Sequence, residues 1–231
     1  MTGAWLEFWD SPHAIYVNAR HRDVHYRLIA KQISAFVPSR QARALDYGCG
    51  EALHADTVAA VAGELLLCEG APRLRAELAS RFAGNGKIRV VAPDDIARLP
   101  DGALDFIVLH SVAQYLTPDE LDKLLALFRR LLKGDGMLLI SDIVAPEVSA
   151  ATDAVALLRF GAGNGFFCAA VVGLVRTVLS DYWRLRSRYG LTRYSEAAMT
   201  GKLAAAGFTA ERIAQNIGHN PARLAFTARP R

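Results

Sequence analysis

Short apolar runs alternate with longer amphipathic stretches over residues 40–145. The runs have the length and composition of buried strands, and they span about 42–47, 64–69, 88–92, 104–110 and 137–143. Helical periodicity follows them at about 52–62, at 72–82 and from Thr117 to Lys133. Because strands and helices alternate, we predict a doubly wound α/β fold with a mostly parallel sheet.

Both ends of the chain depart from this alternation. Residues 1–38 place apolar positions on a helical pattern and predict an N-terminal helical cap. Residues 195–206 predict a last helix, and two strands follow it at about 208–216 and 223–228. A chain with this organisation and length fits a single domain, 1–231.

The segment 144–194 is longer than a connection between a strand and a helix needs, so we interpret it as a helical insertion or lid. Glycines interrupt its apolar first half, at Gly161, Gly163 and Gly165, which predicts two helices with a joint between them. Its second half interleaves arginines with aromatic residues, namely Arg176, Tyr182, Trp183, Arg184, Arg186, Arg188, Tyr189, Arg193 and Tyr194. Three interpretations stay open: a cap whose arginines face water, an apolar substrate pocket or peripheral membrane contact, and an RNA-binding surface.

Composition narrows the function classes. The formal net charge of +4 is too small to indicate a nucleic-acid partner. Cys49, Cys68 and Cys168 lack the spacing of a zinc site and favour a reducing compartment. No uninterrupted apolar run reaches about 18 residues, so we expect no transmembrane segment. The N-terminus lacks a basic stretch followed by an apolar signal core, so we expect a cytoplasmic protein.

The strongest functional signal is a glycine turn at the end of the first predicted strand. Gly48 and Gly50 lie between that strand and a helix, and Glu69 ends the second strand. In a doubly wound sheet, such glycines let a ligand approach the backbone, and such an acid binds ribose hydroxyls. These residues predict a nucleoside-binding site.

Two cofactor classes use this layout, and two residues separate them. A dinucleotide fingerprint requires a third glycine at position 53, where this chain has Leu53. Asp46 would repel a pyrophosphate, whereas it favours a ligand with an ammonium and a sulfonium group. The pattern therefore favours S-adenosylmethionine over a nicotinamide dinucleotide.

The segment Asp46–Ala52 resembles the first motif of the class I S-adenosylmethionine-dependent methyltransferases, with Ala52 in place of the usual third glycine. The resemblance extends over about residues 40–145 and implies a seven-stranded sheet with an antiparallel end strand. It implies cofactor contacts from Asp46, Gly48, Cys49, Gly50, Glu69 and Gly70. It also implies that Asp95 lies near the adenine amino group and that Ile96 lies against the adenine ring.

The resemblance further implies a helix that covers the cofactor and contacts its methionine carboxylate. Tyr16 and Arg20 are the candidates for this contact, and surface or packing roles are the alternative. His110 ends the fourth predicted strand, where it would line the cofactor pocket or act as a base. Tyr115 would shape the acceptor pocket or pack in the core. His110 and Tyr115 are therefore the candidate catalytic residues.

His21 and His25 lie four positions apart on a predicted helix. Two histidines at this spacing can bind a metal, but no third ligand has a recognisable spacing. We therefore predict no metal site.

Together these features predict methyl transfer from S-adenosylmethionine to a small-molecule acceptor, and the apolar insertion favours an apolar or lipid-like one. The cofactor carries the electrophilic methyl group, so the protein has to align the acceptor, and a base is needed only for an acceptor that must lose a proton. Two alternatives stay open: a non-catalytic ligand-binding protein on the same fold, and a nicotinamide-dependent oxidoreductase. The sequence does not indicate the oligomeric state.

Overall fold

The computed structural model describes residues 3–11, 16–178 and 190–231. The strands in chain order are β1 (Arg43–Tyr47), β2 (Glu64–Cys68), β3 (Ile88–Val91), β4 (Leu104–His110), β5 (Leu132–Ile143), β6 (Phe208–Arg212) and β7 (Leu224–Pro230). They form one seven-stranded sheet in the order β3-β2-β1-β4-β5-β7-β6. The first five strands pair in parallel, and β7 runs antiparallel to both β5 and β6. The predicted fold class is confirmed.

Helices cover both faces of the sheet, as the alternation along the chain predicts. They are α1 (Gly3–Asp10), α2 (Ala19–Ser34), α3 (Ala55–Ala59), α4 (Pro72–Phe82), α5 (Pro93–Ala97), α6 (Pro118–Leu131), α7 (Ala150–Asn164), α8 (Phe167–Val178) and α9 (Glu196–Ala205). Along β4, Ile107 and Leu109 belong to one buried apolar cluster, whereas Phe106 and Val108 belong to another. Because successive strand residues point to opposite faces, the sheet has a core on each side.

Three elements differ from their predicted bounds by several residues. The predicted helix 52–62 contracts to α3, and Ala52 stays outside it because its φ of 43° does not fit a right-handed helix. The fifth strand begins earlier than predicted, since Leu132 already pairs with Leu104 ahead of a register shift. The sixth strand ends at Arg212 rather than at 216. The residues after Arg212 form the loop that leads to the cavity described below.

The insertion after β5 contains the predicted pair of helices, α7 and α8. Gly165 ends α7 with a φ of 74°, a conformation that favours glycine. Gly161 and Gly163 lie inside α7 and do not break it. A side chain at position 161 would lie 3.2 Å from the backbone of Phe167, so this glycine allows the two helices to approach each other closely.

The surface of the α7–α8 pair is partly apolar. The large apolar side chains exposed on this pair are Val155, Phe167, Val171, Val172 and Val175. Tyr182, Trp183, Arg184, Arg186, Arg188 and Tyr189 lie outside the described residues, so the predicted membrane or RNA contact stays a prediction. Of the described members of that segment, Arg193 donates to the carbonyls of Pro146 and Val148, and Tyr194 is buried. Among the helices that the structure describes, none is both long and apolar enough to cross a bilayer.

Candidate active site

A cavity of about 1040 Å³ lies at the carboxyl edge of the parallel strands. Residues that follow β1, β2 and β4 form its floor, and the first two helices cover it. Helix α7 and the β6–β7 loop, residues 213–223, close its far side. Ligands of doubly wound sheets bind at this edge, so the cavity is the candidate site.

The glycine turn requires glycine for two separate reasons. Gly48 and Gly50 have φ values of 74° and 57°, which side chains rarely adopt. A Cβ on Gly48 would also lie 2.6 Å from a methyl group of Val112. The amide of Gly48 donates to the carbonyl of Cys68 at 2.8 Å, which fixes the turn against the end of β2. Ala52, which replaces the third glycine of the methyltransferase motif, also has a left-handed φ, of 43°.

Two carboxyl groups lie beside this turn, that of Glu69 buried and that of Asp46 half-buried. Glu69 is 6% exposed and accepts hydrogen bonds from the amides of Gly50 at 3.0 Å and Ala71 at 2.8 Å. Burial raises the pKa of Glu69, against the opposing effect of these amides. Burial and the charge of Glu69 raise the pKa of Asp46 to about 7. Because the second charge is costly next to the first, a cationic ligand group is favoured here.

Helix α2 is held directly above the glycine turn. The hydroxyl of Tyr26 accepts from the amide of Glu51 at 3.1 Å, and Arg22 forms an ion pair with the Glu51 carboxylate. His54 and Asp23 form a further contact at 2.8 Å. These bonds make α2 a fixed wall of the cavity, with the ring of Tyr16 on its inner side.

The ends of β4 and β5 contain strained backbone. Ser111 and Asp142 both have a φ of 60°, and the hydroxyl of Ser111 donates to the carboxylate of Asp142 at 2.6 Å. Asn216 from the β6–β7 loop accepts from the amide of Asp142 at 2.9 Å. Strained residues of this kind cluster at functional sites, and here they join the loop to the sheet edge.

Three histidine rings meet at the far end of the cavity. The ring centroids of His21, His25 and His219 are 5.7 to 6.2 Å apart. His219 stacks on Phe160 and His21 stacks on Phe166, with centroids 4.7 and 4.9 Å apart. Burial lowers the pKa of His21 to about 4 and the pKa of His25 well below its usual value. No group of metal-binding side chains is placed to hold an ion within the described ranges.

Nine of the predicted site residues line the cavity. They are Tyr16, Asp46, Gly48, Cys49, Gly50, Glu69, Gly70, His110 and Tyr115. Tyr115 also packs against Trp5, with ring centroids 4.7 Å apart, so it shapes the wall as part of an aromatic cluster. His110 contacts the hydroxyl of Ser141 through Nδ1 at 3.0 Å.

Three predicted residues are not brought to the cavity. Asp95 is exposed and accepts from the amide of Ala92 at 3.0 Å, so it caps the first turn of α5. Ile96 is 1% exposed and belongs to the core on the other side of that helix turn. Arg20 donates to the carbonyl of Asn164 and links α2 to α7. Pro93 is the residue of this α5 segment that lines the cavity.

Sequence reasoning did not assign His219, Asn220, Arg223, Asp142 or Tyr26 to the site, although all five line it or support it. No spacing along the chain connects the histidines of α2 with His219. Only the position of β7 next to β5 brings the β6–β7 loop to this edge. The one local signal is a set of polar residues in a short loop between two strands.

Residues 45–140 match the sequence model of a family described as a methyltransferase domain. The predicted methyltransferase resemblance is confirmed. Among curated proteins, none matches the sequence.

Solved structures with the same fold cover nearly the whole chain. The complex of DhpI with S-adenosylhomocysteine has a TM-score of 0.62 at 14% identity and covers 97% of this chain and 94% of its own. NodS, an N-methyltransferase from Bradyrhizobium japonicum, has a TM-score of 0.59 at 17% identity, with coverage of 98% and 97%. The magnesium protoporphyrin IX methyltransferase of Synechocystis PCC 6803 has a TM-score of 0.59 at 16% identity, with coverage of 100% and 95%. At such identities the likeness establishes the fold.

The substitution Gly48→Ala should destabilise the protein, because it forces a left-handed alanine against Val112. We expect a loss of about 2 kcal/mol or more in the free energy of unfolding, measured with urea. Gly84→Ala is the matched control, since a Cβ there meets nothing within 4 Å. Equal stability of the two variants would contradict this description of the turn.

The buried histidines predict a pH-dependent contribution to stability. His21 has a folded pKa of about 4, below its unfolded value, so the unfolded chain binds the extra proton between these values. Wild-type protein should therefore lose stability relative to His21→Phe as the pH falls from about 6.5 to about 4, by up to about 1.4 kcal/mol per pH unit. The raised pKa of Asp46 has the opposite effect, since it makes the folded protein more stable as the pH falls. Because both proteins contain Asp46, the quantity to measure is the difference between their free energies of unfolding. A difference that does not change with pH would contradict the burial of His21.

Proposed function

We propose that this protein transfers the methyl group of S-adenosylmethionine to a small molecule bound beneath α2 and α7. The observation that carries the proposal is one continuous cavity with two chemically different ends. One end has the glycine turn and the carboxyl groups of Asp46 and Glu69, and the other has histidine and aromatic rings. The cavity lies at the upper end of the usual range for ligand pockets, which suits two ligands side by side.

The cofactor end fits S-adenosylmethionine through residues of this chain. Glu69 would accept bonds from the ribose hydroxyls, and the turn at Gly48 and Gly50 would contribute backbone atoms to the cofactor site, since both glycines line the cavity. Asp46 would face the cationic methionine part, where its charge is favourable. The family match and the neighbours solved with S-adenosylhomocysteine agree with this cofactor.

The bound cofactor would supply an electrophilic methyl group, which leaves alignment and exclusion of water to the protein. Tyr26 and Arg22 hold α2 over the cavity through Glu51, and this cover would keep water from the reacting atoms. His110 ends β4 beside the glycine turn and would line the boundary between cofactor and acceptor.

The apolar part of the cavity lining favours an acceptor with an apolar body. The cavity walls include the aliphatic side chains of Leu116, Leu124, Leu127, Leu157 and Leu174. Apolar walls with a few polar groups are typical of small-molecule sites, in which the polar groups set orientation. An apolar or lipid-like acceptor therefore remains part of the proposal. Leu53 and Asp46 both disfavour a dinucleotide and therefore a nicotinamide-dependent oxidoreductase.

Titration of S-adenosylhomocysteine by calorimetry tests the cofactor site. We expect micromolar binding to the wild type and at least about tenfold weaker binding to Glu69→Gln, because hydrogen bonds to a charged group are lost. Glu64→Gln is the matched control, since Glu64 lies at the opposite end of the same strand and pairs with Arg43. Absence of binding to the wild type, with binding of NAD instead, would overturn the proposal.

Cofactor affinity should also depend on pH through Asp46. A cationic ligand group favours the ionised carboxylate, whose pKa is about 7 before binding. Affinity should therefore rise with pH and level off above about 8, with about tenfold weaker binding at pH 6. Asp46→Asn should bind more weakly and show no such rise. An equal rise in both proteins would assign the effect to a different group.

A further inference from the structure

Four histidines from three segments of the chain gather at the acceptor end of the cavity. His21 and His25 come from α2, His110 from the end of β4, and His219 from the β6–β7 loop. Their mutual proximity contributes to the low pKa of His25, after the larger effect of its burial. The cofactor does not require a histidine cluster. We therefore look for the role of these histidines in binding the second ligand.

His21 lines the cavity and carries a hydrogen-bond donor without a partner among the described residues. Its Nδ1 accepts from the amide of Val17 at 3.3 Å, so the neutral ring carries its proton on Nε2. This Nε2 is buried and has no partner among the described residues, in a side chain that is 5% exposed. A buried donor without a partner is costly, and a ligand oxygen at this place would satisfy it.

His219 faces charges that the histidines of α2 do not face. Burial lowers its pKa, and the carboxylates of Asp142 and Asp153 oppose this lowering, while the cation of Arg223 adds to it. Stacking on Phe160 at 4.7 Å fixes the plane of its ring. Of the rings contributed by α2 and the loop, His219 is therefore the one best placed to hold an additional proton.

We propose that the histidine end binds a flat acceptor with an ionisable hydroxyl group, and that His219 is the base that takes the proton from this hydroxyl. This inference rests on the proposed function and specifies its substrate class. A hydroxyl can accept from His21 and donate to His219 at the same time. The two rings have centroids 6.2 Å apart, close enough for one oxygen to bond to both.

The step balances in atoms and charge. The acceptor oxygen gives its proton to the free nitrogen of His219 and uses an electron pair to bond to the methyl carbon. The bond between that carbon and the sulfonium sulfur breaks, and its electrons stay on sulfur. One positive charge is lost at sulfur and one appears on the imidazolium, where Asp142 and Asp153 stabilise it.

The shape of the site favours a planar molecule. His21 and His219 line the cavity, and each ring is held by stacking on a phenylalanine, His219 on Phe160 and His21 on Phe166. Tyr16 adds a further ring, 5.4 Å from His21. Aromatic surfaces bind flat rings through offset or edge contacts.

The first test is binding, without any turnover. Full-length protein loaded with S-adenosylhomocysteine is titrated with 2-naphthol and with naphthalene, which lacks the hydroxyl. We expect the wild type to prefer 2-naphthol by about tenfold or more, and His219→Phe to reduce the preference to about twofold or less. Phenylalanine keeps the stacking on Phe160 but removes both nitrogens. His219→Gln serves as the second variant, so that a folding defect in one does not decide the result.

A preference for 2-naphthol that persists in both variants would overturn the role of His219. No preference in the wild type would overturn the hydroxyl site, even with the cofactor end intact. Titration of S-adenosylhomocysteine on the same samples separates the two proposals, because failure there contradicts the proposed function, and the naphthol comparison can then be made on the protein without cofactor. Equal cofactor affinity in all three proteins is the expected result.

The second test is transfer of a labelled methyl group from S-adenosylmethionine to 2-naphthol or to 6-aminoquinoline. We expect methylation of the hydroxyl compound, with a kcat about a hundredfold lower in His219→Phe. Added imidazole should restore part of the rate in His219→Gly, because it can replace the missing ring. Methylation of the amine alone, or an unchanged kcat in the variants, would contradict the proposal.

Discussion

The bond between the Glu69 carboxylate and the amide of Gly50 is the interaction on which the candidate site depends. It fixes the left-handed glycine turn after β1 against the end of β2, together with the amide of Gly48 on the Cys68 carbonyl. This glycine turn directs the amide of Glu51 towards the hydroxyl of Tyr26, and the resulting hydrogen bond positions α2 as a wall of the cavity. A buried acid thus orders the cavity floor and offers its remaining lone pairs to a ligand.

The second constraint is the position of the last strand. Because β7 lies between β5 and β6, the loop before it reaches the same edge as the ends of the parallel strands. Asn216 bonds to the strained Asp142, and this contact holds the loop in place beside His110. The same contact places His219 opposite α2, so the acceptor end of the cavity is built from residues about two hundred positions apart.

Sequence reasoning predicted correctly which residues line the cavity where their position depends on local order. The glycine turn, Asp46 and Glu69 are each set by a strand followed by a turn, and the fold follows from the alternation of elements. Asp95 was assigned to the adenine by its spacing, but a short helix after β3 uses that carboxylate as its cap. The histidine end had no local pattern, since it arises from pairing between strands and from helix packing. The pair at positions 21 and 25 was visible, whereas its partner His219 could be found only in the folded chain.

A crystal structure of the protein with S-adenosylhomocysteine and 2-naphthol would test the central claim most directly, since that claim is a division of one cavity between two ligands. The account predicts ribose hydroxyls on Glu69, the sulfur of the cofactor turned towards His110, and the naphthol oxygen between His21 and His219. It would be contradicted by a cofactor that fills the histidine end itself, or by a naphthol ring bound outside this cavity.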